Sequence, residues 1–389
     1  MNYDVIVIGL GAMGSATLYQ LSKFKDKKIL GIDQFLPPHT FGSSHGESRI
    51  TRLAIAEGDE YVALVQRSHA IWKEIEKEYV NDGSLYIATS GLIIDSALSN
   101  HNGSFLERTQ QAAKKHRIQH VNLNADTLLK EYGQLLNLSG SESAYKETAM
   151  GYLRPETCIK VQLSLAKKRG ANIHTQEKAV KYERLANGHL RVITDQTVYE
   201  TKQIIVAAGS WLPQLLHHDL VSSLKIYRQT MYWFQVEEDF LNYYKPDKFP
   251  VIVWQLKNDM LLIFPIIDTK NSIKVVCENY SNPTTPQEVN RIISDEEKKN
   301  IYVNYIKPHL KGITDHCVKA EVCLYTCAPH QRFMIDYAPG YNNRVIVASP
   351  CSGHGFKHSA AIGESLANIT MTNESKINVI DLFGGINKK

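Results

Sequence analysis

The residues up to Asp33 constrain this chain more than any other stretch. An apolar run, Val5-Ile6-Val7-Ile8, leads into Gly9, Gly11 and Gly14, then a helical stretch, a second apolar run Lys28-Ile29-Leu30-Gly31-Ile32, and the acid Asp33. In a βαβ unit the first glycine permits the tight turn off the strand. The second lets backbone come close to a pyrophosphate, and the third lets helix and strand pack closely. The helix N-terminus offers N–H groups without intrahelical acceptors and the positive end of a dipole. Asp33 is placed to accept both hydroxyls of an adenosine ribose. Three glycines alone say little, but strand, helix and acid in this order predict dinucleotide binding. NAD and FAD present the same ADP half to such a unit, so the motif leaves that choice open.

A chain of 389 residues exceeds one typical core, so two domains are expected. With 43% hydrophobic and 22% charged residues it reads as an ordinary soluble globule. The net charge of +4 is spread over interspersed acids and bases, which speaks against a nucleic-acid stripe or a polybasic membrane patch. No apolar run approaches the ~20 residues of a membrane helix, and the first apolar stretch is a short strand rather than a signal-peptide core, so a cytoplasmic protein is expected. The six cysteines are irregularly spaced, which argues against a disulfide framework. Cys317, Cys323 and Cys327 cluster without the paired C-x-x-C spacing of a structural zinc site, and no metal is expected.

Beyond Asp33, the stretch from Gln34 to His39 reads as a loop because Pro37 and Pro38 forbid helix and ladder pairing. The small polar run from Gly42 to Arg49, with Ser43, Ser44 and His45, suits close wrapping of a ligand. From Tyr61 to Tyr79 apolar residues recur at helical spacing and predict a helix buried on one face. A buried strand ending at Val206 runs into Ala207, Ala208, Gly209 and Trp211, small residues that leave room beside a bound cofactor. From Ile226 to about Tyr280 strand-like alternation carries Tyr232, Trp233, Phe234, Trp254 and Phe264. These predict a sheet walling an apolar pocket, with most of the rings serving as plain core. Finally, the strand Arg344 to Ala348, the turn containing Gly353 and Gly355, and a helix from Ser359 to Ile369 repeat the opening logic. Two such contacts suit FAD, which stretches across its domain and ends in a bulky ring, better than NAD. Residues 1–85, 145–220 and 320–389 are then expected to form the FAD-binding domain, and 86–144 with 221–319 a substrate domain over the flavin.

Five blocks resemble the monomeric sarcosine oxidase and N-methyltryptophan oxidase family of amine-oxidising flavoproteins. They are Val7 to Gly14; Pro37 to Thr40 with Gly42 to Arg52 and Glu57-Gly58; Ala207 to Trp211; Val322-Cys323-Leu324-Tyr325-Thr326; and Ser352-Gly353-His354-Gly355-Phe356-Lys357. The fold class implied is α/β, a Rossmann-type FAD-binding domain of the glutathione-reductase/D-amino-acid-oxidase kind with an inserted mixed-sheet catalytic domain. The cofactor-binding positions expected are Gly9, Gly11, Gly14, Asp33, Gln34, Ser43, Ser44, Ala208, Gly209, Trp211, Cys323, Gly353, Gly355, Phe356 and Lys357. The resemblance implies that Cys323 carries the FAD through a thioether. From the residues alone Cys327 is a rival nucleophile, and a buried inert thiol is the plain alternative for both. It further implies that Arg52 and Lys357 hold a substrate carboxylate, with Tyr325 and Leu262 lining the pocket. An Arg52–Glu57 structural salt bridge is the alternative. His45 and Arg49 fall where the family places polar groups against the flavin, and Lys274 aligns with a lysine that polarises O2. Leu262, Glu278 and Ile55 depart from the family's pocket tyrosine, pocket histidine and a second tyrosine, leaving the identity of the amino acid open.

The reading that results is a monomeric FAD-dependent oxidase. It takes an N-methyl or cyclic secondary α-amino acid and O2 and returns a primary amino acid, an aldehyde and hydrogen peroxide. A secondary ammonium gives up no electrons until it loses its proton, and a cationic wall of Arg49, Lys274 and Lys357 raises the cost of keeping that proton. Lys274 would also stabilise the negative charge that builds on O2. Two other classes fit the same residues, a flavin dehydrogenase passing electrons to a partner acceptor and a non-catalytic flavin-binding sensor.

Overall fold

The apolar N-terminal run forms the strand Asn2–Ile8, in which Ile6 and Val7 are completely buried. In the computed structural model, which describes residues 2–79, 83–96, 104–216 and 219–385, this strand has parallel partners on both sides, Ile29–Asp33 and Val198–Val206. Strands covered on both faces carry continuous apolar runs, and residues 5–8, 29–32 and 204–206 form such runs where the three strands lie side by side. Asn172–Thr175 extends the parallel array beyond Ile29–Asp33, and Val345–Ser349 beyond Val198–Val206. Met334–Tyr337 closes one edge antiparallel, and the hairpin Ala179–Arg184 with Leu190–Thr194 folds onto the start of Val198–Val206. The helix Ala12–Leu21 is buried on nearly all sides, packed between this sheet and the helix Ser359–Thr372. The two helices cross so closely at Gly363 that a Cβ there would stand 2.5 Å from the Ala16 carbonyl carbon.

The helix expected from Tyr61 onward spans Glu60–Glu78 and buries Tyr61, Val62, Leu64, Val65, Ser68, His69, Ile71, Trp72 and Ile75, one face at spacings of three and four. A three-stranded sheet of Arg49–Thr51, Gly151–Leu153 and Tyr86–Ala88, with Gly151–Leu153 in the middle, touches this helix through Tyr86–Ala88.

The second large sheet has nine strands and holds the aromatic alternation. Its backbone is the long antiparallel pair Lys225–Val236 and Ile313–Cys327, in which Gln229 faces Cys323 and Tyr227 faces Tyr325. Side chains two apart on a strand share a face, so Cys323 and Tyr325 point the same way. Next to it lies Ser272–Cys277, where Lys274 sits opposite Trp233 on one neighbour and Phe264 on the other. The strand Ile313–Cys327 runs through residue 320, and Ser143–Glu147 through residue 145, both expected as block boundaries. Glycine motifs mark cofactor contacts but carry no trace of ladder pairing, which continues unbroken across both positions. Among the described residues no helix is long and apolar enough to cross a membrane.

Candidate active site

Two cavities meet inside the molecule. The first, about 380 Å³, opens along the C-terminal ends of the parallel strands. At its floor Gly9 adopts φ +88°, and a Cβ there would stand 2.5 Å from the Ala207 carbonyl oxygen, so only glycine makes this turn. Gly11 and Gly209 border the same cavity with open space where a Cβ would project. Gly11 also caps the helix Ala12–Leu21 without a side chain, which leaves the first-turn N–H groups facing the cavity as an anion site. Asp33 is buried and already bears two backbone donors, Leu10 N–H to Oδ2 at 2.7 Å and Phe35 N–H to Oδ1 at 2.8 Å. Burial pushes its carboxyl above the usual range, and the two N–H groups oppose that push. Each oxygen keeps a further lone pair, so Asp33 ties the glycine turn to the following loop and still offers an acceptor to the cavity.

The loop from Gly42 closes over this space. Arg49 staples it, donating through Nη2 to the Ser43 carbonyl and through Nη1 to the Ser48 carbonyl, both at 2.8 Å, while the Ser43 hydroxyl reaches the Leu324 carbonyl. Gln34, Ser43, Ser44, Ala208, Trp211, Gly353, Gly355 and Phe356 all border the first cavity.

A second cavity of about 340 Å³ adjoins the first, and Arg49, Tyr325, Gly353 and Phe356 line both. Leu262, Lys274, Cys323, Arg52 and Lys357 line the second. Lys274 is buried, its ammonium donating to the Gly46 and Ser48 carbonyls at 2.8 and 2.7 Å and lying 3.9 Å from the Phe264 ring centroid. Burial and the nearby Arg49 guanidinium hold it well below the ordinary lysine range. Arg52 donates to Glu57 at 2.7 Å and to the Ala54 carbonyl. The structural ion pair held open as an alternative is therefore formed. Lys357 lies 3.9 Å from the same Glu57 carboxylate and donates to the His354 carbonyl at 2.9 Å. Burial brings Lys357 down to about 8 against the pull of Glu57. Although burial penalises the Glu57 charge, Arg52 and Lys357 together hold that carboxyl far below the ordinary range.

Two of the expected residues and the rival thiol stand apart from these walls. Gly14 is buried in the turn, where a Cβ would collide with the Gly9 carbonyl oxygen, and its part is packing. His45 borders neither cavity; its Nδ1 lies 3.2 Å from Glu321, and its buried Nε2 finds no partner among the described residues. The rival thiol Cys327 also borders neither and is pushed up to about 12 by burial. Burial raises the Cys323 thiol too, but Arg49 and Lys274 pull the other way. Sequence reasoning passed over Cys351 and Glu177 on the first cavity and Phe105, Arg108 and Tyr280 on the second. One signal was available: Ser104 and Glu107 form a capping box that starts the helix Phe105–Lys115 at the cavity rim.

The model for FAD dependent oxidoreductases matches residues 4–369. The chain belongs to this family. It is 33% identical to monomeric sarcosine oxidase of Streptomyces avermitilis over 375 residues, 95% of this chain and 94% of that protein. Against monomeric sarcosine oxidase of Bacillus sp. strain B-0618 the figures are 31% over 378 residues, 96% and 94%. Against N-methyl-L-tryptophan oxidase of Yersinia pestis they are 29% over 383 residues, 97% and 98%. The family resemblance carried by the five blocks thus extends over nearly the whole chain. The fold is shared with NikD, an unusual amino acid oxidase essential for nikkomycin biosynthesis, at a TM-score of 0.81, 16% identity and coverage of 96% and 95%. L-proline dehydrogenase from P. horikoshii gives 0.78, 16%, 97% and 96%. This FAD dependent oxidoreductase has features that suit its cofactor: a helix N-terminus with no capping side chain, a buried acid near it, and a cavity that adjoins a second space.

Proposed function

We propose that this oxidoreductase oxidises the C–N bond of an N-methyl or other secondary α-amino acid with O2 as acceptor, yielding primary amino acid, aldehyde and hydrogen peroxide. The observation that carries the reading is the pairing of two buried cations, Arg52 and Lys357, in a cavity that shares one wall with the cofactor cavity. A carboxylate bound between guanidinium and ammonium gains two charge-assisted contacts in a site shielded from water. The common wall of Arg49, Tyr325, Gly353 and Phe356 then sets the neighbouring C–N bond where the two spaces meet. Positioning of this kind is the protein's share of such a reaction.

Bound FAD supplies the two-electron acceptor. Cys323 is the residue proposed to hold it covalently, supported by its place on the second cavity beside Arg49 and Lys274. Lys274 is assigned the stabilisation of negative charge on O2, and the enzyme is proposed to act as a monomer, with the glycine-bearing parallel sheet as cofactor domain and the nine-stranded sheet as substrate domain. His45 is given a supporting role, holding the loop under Arg49 through its contact with Glu321.

The deciding experiment is anaerobic mixing of the yellow protein with a panel of N-methyl amino acids, proline and pipecolate. Bleaching by at least one, followed by stoichiometric peroxide on admitting air, is expected. Bleaching without peroxide, with electrons passing readily to a dye, would make it a dehydrogenase.

A further inference from the structure

We propose that Glu278 meets the amine of the bound substrate and takes its proton, so that the amino acid stands in the cavity as a neutral amine. This rests on the oxidase reading above. Glu278 directly follows the strand Ser272–Cys277 and lines the second cavity together with Arg52, Glu57 and Lys357. Its two oxygens are held separately. Tyr325 donates to Oε1 at 3.3 Å and Tyr280 to Oε2 at 3.2 Å. Tyr325 borders both cavities, and both phenols rest on the backbone at Gly353, where a Cβ would stand 2.8 Å from the Tyr280 hydroxyl and 3.1 Å from the Tyr325 ring. The carboxylate is thereby fixed at the seam between cofactor and substrate spaces. An α-amino acid carries its amine one carbon from its carboxylate, so a ligand clamped by Arg52 and Lys357 brings that amine to the same seam. Each phenol occupies one acceptor site, leaving each Glu278 oxygen a lone pair for an N–H.

In the step proposed, an N–H bond of the secondary ammonium breaks, an O–H bond forms on Glu278, and the electron pair stays on nitrogen. The charged and titratable groups that act on Glu278 include Glu57 and Lys357 on the cavity, Tyr280 and Tyr325 at its oxygens, and Cys277 and Cys327, and Arg49, Arg52, Arg108, Lys274 and His354 line the same cavity. Enclosure by the protein, helped by Glu57 and opposed by the phenols and Lys357, raises the carboxyl to about 7, where it exchanges a proton readily.

The test uses the FAD-loaded protein and two carboxylates that differ at the amine position. Trimethylammonioacetate carries a permanent cation there, and (methylthio)acetate an uncharged sulfur. Dissociation constants are read from the flavin spectrum. Both ligands share the carboxylate, so the loss of the Lys357 charge's pull on it cancels in their ratio. Preference for the cation should rise about tenfold between roughly pH 5.5 and 8, stay flat in Glu278→Gln and return in Glu278→Asp. In anaerobic reduction by an N-methyl substrate, Glu278→Gln should shift the pH of half-maximal rate upward by about one unit or more. A pH-independent preference in the wild type, the same rise in Glu278→Gln, or an unmoved reduction profile overturns the proposal. If no amino acid bleaches the wild-type flavin, the oxidase reading falls, while the ligand ratio still decides whether Glu278 faces a cation.

Discussion

The Glu57 carboxylate lies 2.7 Å from the Arg52 guanidinium and 3.9 Å from the Lys357 ammonium, so the two cations already share an anion belonging to the chain itself. On the reading proposed, an incoming carboxylate joins this group rather than entering an empty clamp. The arrangement keeps two buried positive charges from facing each other uncompensated, and it makes affinity depend on the Lys357 proton. The Lys357 pKa is depressed to about 8, so the ammonium is charged below that pH and neutral above it.

Carboxylate ligands should therefore bind at full strength below about pH 8 and weaken as pH rises through it. Lys357→Met should remove that dependence and cost on the order of 2–5 kcal/mol in binding, as should Arg52→Ala without abolishing the pH effect. Dissociation constants measured across the range, with flavin content as a control, check both. Undiminished affinity in either variant would leave that residue a purely structural partner of Glu57.

The yellow colour should remain with the polypeptide after acid precipitation. Cys323→Ser should release it to the supernatant, whereas Cys351→Ser, which alters the thiol bordering the first cavity, should not. The opposite pattern would move the attachment to Cys351, and a white wild-type pellet would show the flavin to be bound without a covalent link.

Lys274→Met should separate the two half-reactions. Reoxidation of the reduced flavin by O2 is expected to slow by roughly two to three powers of ten, the scale of deleting one preorganised electrostatic group, while anaerobic reduction changes far less. Stopped-flow measurement of each half alone gives the answer. Equal loss in both would assign Lys274 to the shape of the pocket as a whole.

Trp72 is completely buried on the helix Glu60–Glu78, and Trp72→Ala should destabilise the protein by about 3–5 kcal/mol without altering the ligand preferences of whatever folded protein remains. Thermal unfolding followed together with flavin fluorescence would show it. An unchanged midpoint would mean that the core collapses around the deletion.

The cofactor half was legible because its parts are local in sequence. Gly9, Gly11 and Asp33 fall within one βαβ unit, and the turn geometry, the open cradle and the buried acid follow from it. What could not be read was that Asp33 spends two acceptor sites on Leu10 and Phe35. The substrate half is assembled across long separations. Glu278 receives a phenol from Tyr325, Phe105 and Arg108 come from an inserted helix, and Cys351 arrives from a loop without any motif of its own. Lys274 and Lys357 were visible only through family likeness, since a single lysine in a strand carries no local signal. His45 was placed against the flavin by the same likeness, and the packing turns its Nδ1 toward Glu321 instead of a cavity wall.

The register that sets Lys274 opposite Trp233 and Phe264 makes the placing of its ammonium in the cavity wall a matter of phase. Along a strand the two faces alternate residue by residue, so a slip of one position would turn Lys274 away from the cavity and present Ile273 or Val275 in its place. No loop movement restores it. The turn at 267–271 is then free to vary in length only so far as the pairing beyond it returns to the same beat, and a lineage of this enzyme can remodel its pocket rim while the hydrogen-bond ladder keeps time for the chemistry.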